Sequence, residues 1–165
     1  MSERIIASGS DFMVFLVEGA VGAETYRPIA GQTNLVLTRE PNYRETNNKN
    51  LGGYKDYFKG LRGWSATADM DIPDPADVDA TEVSYEEIED WDEAGTKKKV
   101  LFCFVKPTPL ADTDDDVIPD TTRPSYTGMV LFNAPRNSPS GENQTSSIAM
   151  QGCRKLTKIA GVPGV

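Results

Sequence analysis

The chain has 165 residues, a mass of 18.0 kDa and a net charge of -8, with 17 Lys and Arg against 25 Asp and Glu. This length suits one compact domain, and the negative charge disfavours a broad face that binds nucleic-acid phosphates. The chain has no histidine. Because histidine is the commonest general base and a frequent zinc ligand, we expect a protein that is not an enzyme and has no cofactor.

The first part of the chain predicts two strands and a long loop. Residues 11–18 carry apolar side chains on both faces and run into a glycine-containing turn, as a buried strand entering a hairpin would. Residues 29–40 are rich in β-forming residues and stop where Pro41 removes a backbone donor. The polar stretch 42–53 exceeds the length of a tight turn, so it predicts a loop or an extended hairpin tip.

Two further strands are predicted over residues 54–58 and 64–70, with a turn at 60–63 between them. An acidic, proline-containing connector follows at 71–79 and cannot continue a strand. The strand that begins at Trp64 places this tryptophan on one face together with small alanines. We therefore expect Trp64 to be a core residue.

One helix is predicted to begin after Ser84 and to end at Gly95. Ser84 and Glu87 have the spacing of a capping box, and glycine is the usual residue beyond a helix C-terminus. The apolar residues Tyr85, Ile88 and Trp91 recur every three positions and form one narrow stripe. This stripe predicts that the helix packs on the remainder of the domain.

The last third predicts a strand at 97–105, a second acidic, proline-rich loop at 106–124, and a hairpin of strands at 126–133 and 144–152. The strand at 97–105 is apolar on both faces. About seven strands and one helix, with neighbours in sequence paired, predict a single mainly β domain over 1–165. Its expected architecture is an antiparallel β-sandwich or barrel with one packed α-helix.

Cys103 and Cys153 have no metal-site or disulfide-framework spacing, so we expect reduced thiols in a cytosolic protein. The N-terminal residues have charges and only short apolar runs, and no stretch approaches the ~18 apolar residues of a membrane span. The expectation is a protein that is neither exported by a signal peptide nor inserted in a membrane.

Charge is distributed unevenly along the chain. Six Lys and Arg stand against three Asp and Glu in residues 39–62, whereas residues 69–93 hold twelve acids and no Lys or Arg. Each zone is readily explained as a solvated surface, and the rival interpretation is that the basic zone docks on the acidic zone of another copy. Four acids match part of a calcium-loop template: Asp112, Asp114, Asp116 and Asp120. The glycine and the final glutamate of that template are missing.

Three stretches are similar to the major tail protein of bacteriophages, the tail tube subunit: residues 9–12 (GSDF), which lead into the first strand, residues 30–33 (AGQT), which lead the second, and residues 52–65 (GGYKDYFKGLRGWS). This resemblance covers about residues 9–70. It implies a fold role for Gly60, Leu61, Gly63 and Trp64. It also implies that the long loop reaches an adjacent ring, with these contact residues: Asn42, Tyr43, Arg44, Glu45, Asn47, Asn48, Lys49 and Asn50.

The resemblance further implies a structural virion protein that forms hexameric rings stacked into a tube, assembled in the bacterial host cytoplasm. DNA would pass through the lumen during ejection, and tape measure, tail terminator and baseplate proteins would be partners. The sequence leaves open whether a sheath surrounds the tube. The alternative is a monomeric β-sandwich that decorates a capsid or binds carbohydrate through the 42–53 loop.

Overall fold

The computed structural model of the chain describes residues 12–46, 52, 54–105, 119–120 and 122–160. These residues form eight strands: β1 (Phe12–Glu18), β2 (Thr25–Pro28), β3 (Gln32–Thr46), β4 (Asp56–Asp71), β5 (Lys98–Phe104), β6 (Ser125–Asn133), β7 (Thr145–Gly152) and β8 (Thr157–Ile159). A short 3-10 turn covers Pro75–Asp77, and the helix α1 covers Tyr85–Ala94.

The described strands pair antiparallel in one sheet of order β2-β1-β5-β6-β7-β4-β3, and β8 pairs with β6. This confirms the mainly antiparallel β fold with a helix packed on it. The first residue of β3, Gln32, connects β3 at one end of the sheet to β1, the strand next to the other end. Its side-chain oxygen accepts from the Val14 N–H at 3.1 Å, and its side-chain nitrogen donates to the Val14 carbonyl at 3.2 Å. The sheet is therefore rolled, with β1 near β3.

Apolar residues on the two faces of β1 and β5 belong to two separate clusters, as their alternation predicted. Val14, Leu16, Val100 and Phe102 lie in the main core, which also contains residues of β4, α1, β6 and β7. Phe15, Leu101 and Cys103 form a smaller buried cluster on the other face. Both strands are thus buried on both sides, which explains their nearly continuous apolar sequences.

Burial makes Cys103 unreactive. Its side chain is fully buried, and this desolvation raises the pKa of the thiol to about 12. Cys153 is half-buried at the end of β7. We expect the native protein to react with one equivalent of an aromatic disulfide reagent at pH 8, and with a second only after denaturation. Rapid reaction of two thiols in the native protein would contradict this assignment.

Helix α1 has the predicted start and end. The Ser84 hydroxyl accepts from the Glu87 N–H at 3.3 Å, the Glu87 carboxylate accepts from the Ser84 N–H at 3.1 Å, and Gly95 has the left-handed conformation (φ 64°). Tyr85 also donates from its hydroxyl to the Ala134 carbonyl at 2.6 Å, which ties the helix to the end of β6.

The Ser84→Ala variant should lose about 1 kcal/mol of unfolding free energy, because the helix loses one acceptor for its orphan N–H groups. Ser84→Asp keeps an acceptor at the same position and is the matched control. Urea unfolding of both variants measures the difference, and equal destabilisation by the two substitutions would argue against the cap as its cause.

The predicted boundaries around residues 41–63 are wrong. Pro41 does not end the second strand, because β3 continues to Thr46. Of the two interpretations of residues 42–53, the described residues 42–46 agree with the extended hairpin and not with the loop. No turn interrupts residues 60–63, which lie inside β4. An edge strand such as β3 tolerates proline, since a missing N–H that faces away from β4 costs no ladder bond. Residues 47–51 and 53 of the predicted loop lie outside the described residues.

Candidate functional site

The β3–β4 hairpin extends beyond the rest of the sheet. β4 pairs with β7 only through Ser65–Asp71, whereas its pairing with β3 continues back to Asp56. We call residues 41–46 of β3 and 56–63 of β4 the distal ribbon. Every residue of the distal ribbon is exposed except Thr46 and Gly60, which are half-buried. The distal ribbon is therefore a two-stranded projection with no packing against the core.

The distal ribbon exposes large apolar side chains on both of its faces. In the antiparallel register Tyr43 lies opposite Lys59 and Glu45 lies opposite Tyr57, so these four share one face. Arg44 lies opposite Phe58 on the other face. Tyr57 is 56% exposed and Phe58 is 49% exposed. An isolated hairpin with such side chains is marginally stable in water, which points to an additional surface that covers it.

A β-bulge at Gly60 and Leu61 bends the distal ribbon. Pro41 pairs with Arg62 and Tyr43 with Lys59, so two β4 residues face one β3 residue between these pairs. A Cβ at Gly60 would lie 3.3 Å from both the Arg44 Cγ and the Asn42 carbonyl oxygen. The expected fold role of Leu61 as a residue at the turn into the core is wrong, because its side chain is 79% exposed. Its neighbour Gly63 is exposed too and lies opposite Glu40.

The other sequence-predicted fold residues lie in or against the core. Trp64 is 4% exposed and donates from its indole nitrogen to the Arg154 carbonyl at 2.8 Å. Tyr85 and Ile88 of α1 are buried in the same cluster. Trp91 is half-buried at its margin, where its ring lies 5.7 Å from that of Phe132 and 4.7 Å from the Lys98 ammonium.

The acidic segment 69–93 is partly neutralised within the chain. Arg27 bridges Glu18 at 3.2 Å and Glu87 at 3.1 Å, and Arg136 lies 3.3 Å from Glu89. Asp69 accepts from the Ser147 hydroxyl at 2.6 Å, and chiefly this bond holds the pKa of its carboxyl below the usual value. These contacts fix several carboxylates in place, and the segment as a whole remains an acidic surface.

A shallow groove of about 270 Å³ lies where α1 begins, lined by Arg27, Asp79, Glu82, Ser84 and Glu87 among others. Within the described ranges no group of three or more Cys, Asp or Glu side chains is placed to hold a metal ion. Three members of the calcium-loop candidate, Asp112, Asp114 and Asp116, lie outside these ranges. The fourth, Asp120, accepts from the Thr122 N–H at 2.9 Å and from its hydroxyl at 2.7 Å.

No protein-family model and no curated protein sequence matches the chain. Among solved structures, the tail of an empty gene transfer agent particle with C6 symmetry aligns over 94% of this chain and 100% of that one, at 15% identity and a TM-score of 0.67. The SPP1 tail tube aligns over 95% and 81%, at 13% identity and a TM-score of 0.62. The chain has the fold of tail tube proteins. The anti-feeding prophage baseplate aligns over 96% and 97%, at 10% identity and a TM-score of 0.51.

The structure describes four of the eight residues that were predicted to contact an adjacent ring. Asn42, Tyr43, Arg44 and Glu45 lie on the distal ribbon, whereas Asn47, Asn48, Lys49 and Asn50 lie outside the described residues. Tyr57 and Phe58, which sequence reasoning assigned to an ordinary strand, are exposed on the same ribbon. Alternation alone could not reveal their exposure, because it does not show where a strand extends past its neighbours.

The tail tube fold also leaves sheet edges without a described partner. β3 lies at one end of the strand order and β2 at the other. In the described part of the chain, β3 pairs with β4 on one side and with no strand on its other side. A long strand edge of this kind is a template for pairing with another chain.

As for membranes, no helix in the described ranges is long and apolar enough to cross one.

Proposed function

We propose that this chain is a structural subunit of a tail tube, which assembles into hexameric rings stacked around a lumen. The observation that carries the proposal is the combination of the tail tube fold with an edge strand and a projecting ribbon that a monomer leaves uncovered. Pairing of β3 with a neighbouring subunit would satisfy its open edge and continue the sheet from copy to copy.

The proposed tube conducts DNA during ejection. A subunit of net charge -8 suits this role, since a conduit must let the polyanion pass without binding it. The proposal includes no catalytic step. Tape measure, tail terminator and baseplate proteins are its proposed partners, and the assembled virion tail is its proposed location after assembly in the host cytoplasm.

The distal ribbon is proposed to bridge rings. Residues 39–62 carry six Lys and Arg against three Asp and Glu. The remainder of the chain carries eleven Lys and Arg against twenty-two Asp and Glu. The distal ribbon itself carries three of these cations, Arg44, Lys59 and Arg62, and two of the acids, Glu45 and Asp56, so the basic surplus belongs to the whole segment 39–62. A locally basic segment on an acidic protein is electrostatically complementary to another copy of the same protein. The attraction is partly screened by salt, so assembly that depends on it should weaken as ionic strength rises.

Size-exclusion chromatography with light scattering and negative-stain microscopy test the proposal on the purified full chain. The expected result is rings or tubes of uniform diameter at high protein concentration. Tails from particles that carry the protein are the second specimen, since tube growth can require an initiating complex. A monodisperse 18.0 kDa monomer together with absence of the chain from the tube of such particles would overturn the proposal and favour a monomeric binding module.

A further inference from the structure

We infer that the C-terminal segment 153–160 is a brace that sets the direction of the distal ribbon. The ribbon has no packing against the core, so its direction is fixed where it leaves the sheet. That place is the Arg39–Trp64 pair of β3 and β4, because the pairing of β4 with β7 begins one residue later, at Ser65. We call this pair the ribbon root and segment 153–160 the brace.

Both residues of the ribbon root are tied to the brace. The Trp64 indole nitrogen donates to the Arg154 carbonyl of the brace at 2.8 Å. The Arg39 guanidinium lies 5.0 Å from the ring centre of Tyr126, and Tyr126 pairs with Lys158 of β8. One tie is therefore direct, and the other passes through the β6 residue to which the brace is bonded. Because the two ties start on different strands of the ribbon, a shift of the brace changes the support of both strands.

The brace holds an unfavourable backbone conformation at Arg154. Its φ of 98° is the one positive φ of a non-glycine residue in the described ranges, and such a conformation persists only where surrounding contacts enforce it. On one side the Cys153 N–H donates to the Met129 carbonyl at 2.8 Å, and on the other Leu156 packs against the main core. These two anchors direct the Arg154 carbonyl at Trp64, while the Arg154 side chain is exposed. The backbone conformation, and not the charge, is what the brace requires here.

The outer part of the brace is held by few contacts. β8 has three residues, which pair with β6, and two of the three are exposed. A short exposed segment of this kind opens at a much lower free energy than a buried core strand. The brace can therefore loosen while the core stays folded, and the ribbon root then loses its support. In the proposed tube, the direction of the ribbon decides which part of another copy it meets, so the brace influences assembly from within its own chain.

Pulsed electron paramagnetic resonance on the full chain tests the inference. Spin labels on Val21→Cys, in the β1–β2 turn, and on Asp56→Cys, where β4 begins, report the distance from the sheet to the far part of the ribbon. Cys153→Ser removes the half-buried thiol in every sample, and Cys103 is buried. The labelled chain is diluted with unlabelled chain so that only distances within one chain contribute.

Two variants loosen the brace without changing the ribbon beyond its root. Arg154→Pro forces φ to about -65° and moves the carbonyl away from Trp64, whereas Arg154→Gly accepts the native φ and is its matched control. Trp64→Phe keeps an aromatic ring and removes the indole donor. Ser84→Ala lowers stability at the helix cap, far from the brace, and is the control for a general loss of stability.

We expect one narrow distance distribution for the reference chain, for Arg154→Gly and for Ser84→Ala, and a shifted or broader one for Arg154→Pro and Trp64→Phe. If Arg154→Pro does not fold, Trp64→Phe decides by itself. Unchanged distributions in the loosened variants, equal broadening in Ser84→Ala, or a broad distribution already in the reference chain would overturn the inference. Failure of the chain to form rings or tubes would overturn the proposed function and leave the brace standing, because this measurement requires no assembly.

Discussion

Replacing residues 42–61 with an Asn-Gly turn should yield a folded protein that forms no tubes. The deleted residues include most of the distal ribbon, and none of them contributes to the described core clusters. The remaining ribbon keeps the Pro41–Arg62 and Glu40–Gly63 pairs, and Asn-Gly is a favoured turn sequence for hairpins. This variant should therefore keep its fold and lose the ability to assemble.

Thermal unfolding checks the first half of this prediction, and its midpoint should stay within a few degrees of that of the unmodified chain. Negative-stain microscopy checks the second half, with loss of all tubes expected. A pair of point variants refines the comparison: Tyr57→Ser should impair assembly, whereas Val21→Ser, which removes an exposed apolar side chain from the β1–β2 turn, should not. Tubes of normal length from the ribbon replacement would refute a bridging role for this segment.

Residues that fold through local interactions were predictable from the sequence. The ends of α1 follow from Ser84, Glu87 and Gly95, which act within one or two helical turns of each other. The double burial of β1 and β5 follows from apolar residues on both faces. These signals require no knowledge of which distant strand lies alongside.

The distal ribbon was not predictable in the same way. Its glycines and Pro41 have the composition of turns, and polarity around residue 45 has the composition of a loop. What makes this segment a ribbon is the long register between β3 and β4, including a bulge that accommodates Gly60 and Leu61. The short strands β2 and β8 were missed for a related reason: a pairing partner, and not an apolar pattern, defines them.

The packing around Trp64 also depends on residues far away in sequence. Its ring lies over two glycines on neighbouring strands: a Cβ at Gly152 of β7 would lie 2.3 Å from the Trp64 Cε2, and a Cβ at Gly128 of β6 would lie 2.5 Å from its Cζ2. Phe102 of β5 contacts the ring edge-on, with a centroid distance of 6.0 Å. The Trp64 ring therefore lies in a slot where the facing positions of β6 and β7 are glycines without side chains.

This slot predicts two large losses of stability. Trp64→Ala should cost about 3–5 kcal/mol, because it leaves a cavity and an unpaired Arg154 carbonyl. That is a large share of the ~5–15 kcal/mol that stabilises a typical domain. Gly152→Ala should cost at least about 1–3 kcal/mol, because the new methyl group can be accommodated only if the ring moves.

The two sites should be coupled, since they contact the same space. In the Trp64→Leu background, the smaller side chain makes room for a methyl group, so Gly152→Ala should cost much less than it does in the unmodified chain. Gly63→Ala is the matched control on β4: its Cβ would lie 3.3 Å from the flexible end of Glu40, and we expect a change within about 0.5 kcal/mol. Urea unfolding followed by tryptophan emission and circular dichroism measures all five variants, including Trp64→Ala and the double variant. Equal costs of Gly152→Ala in both backgrounds would show that the glycine is required for a reason other than the indole ring.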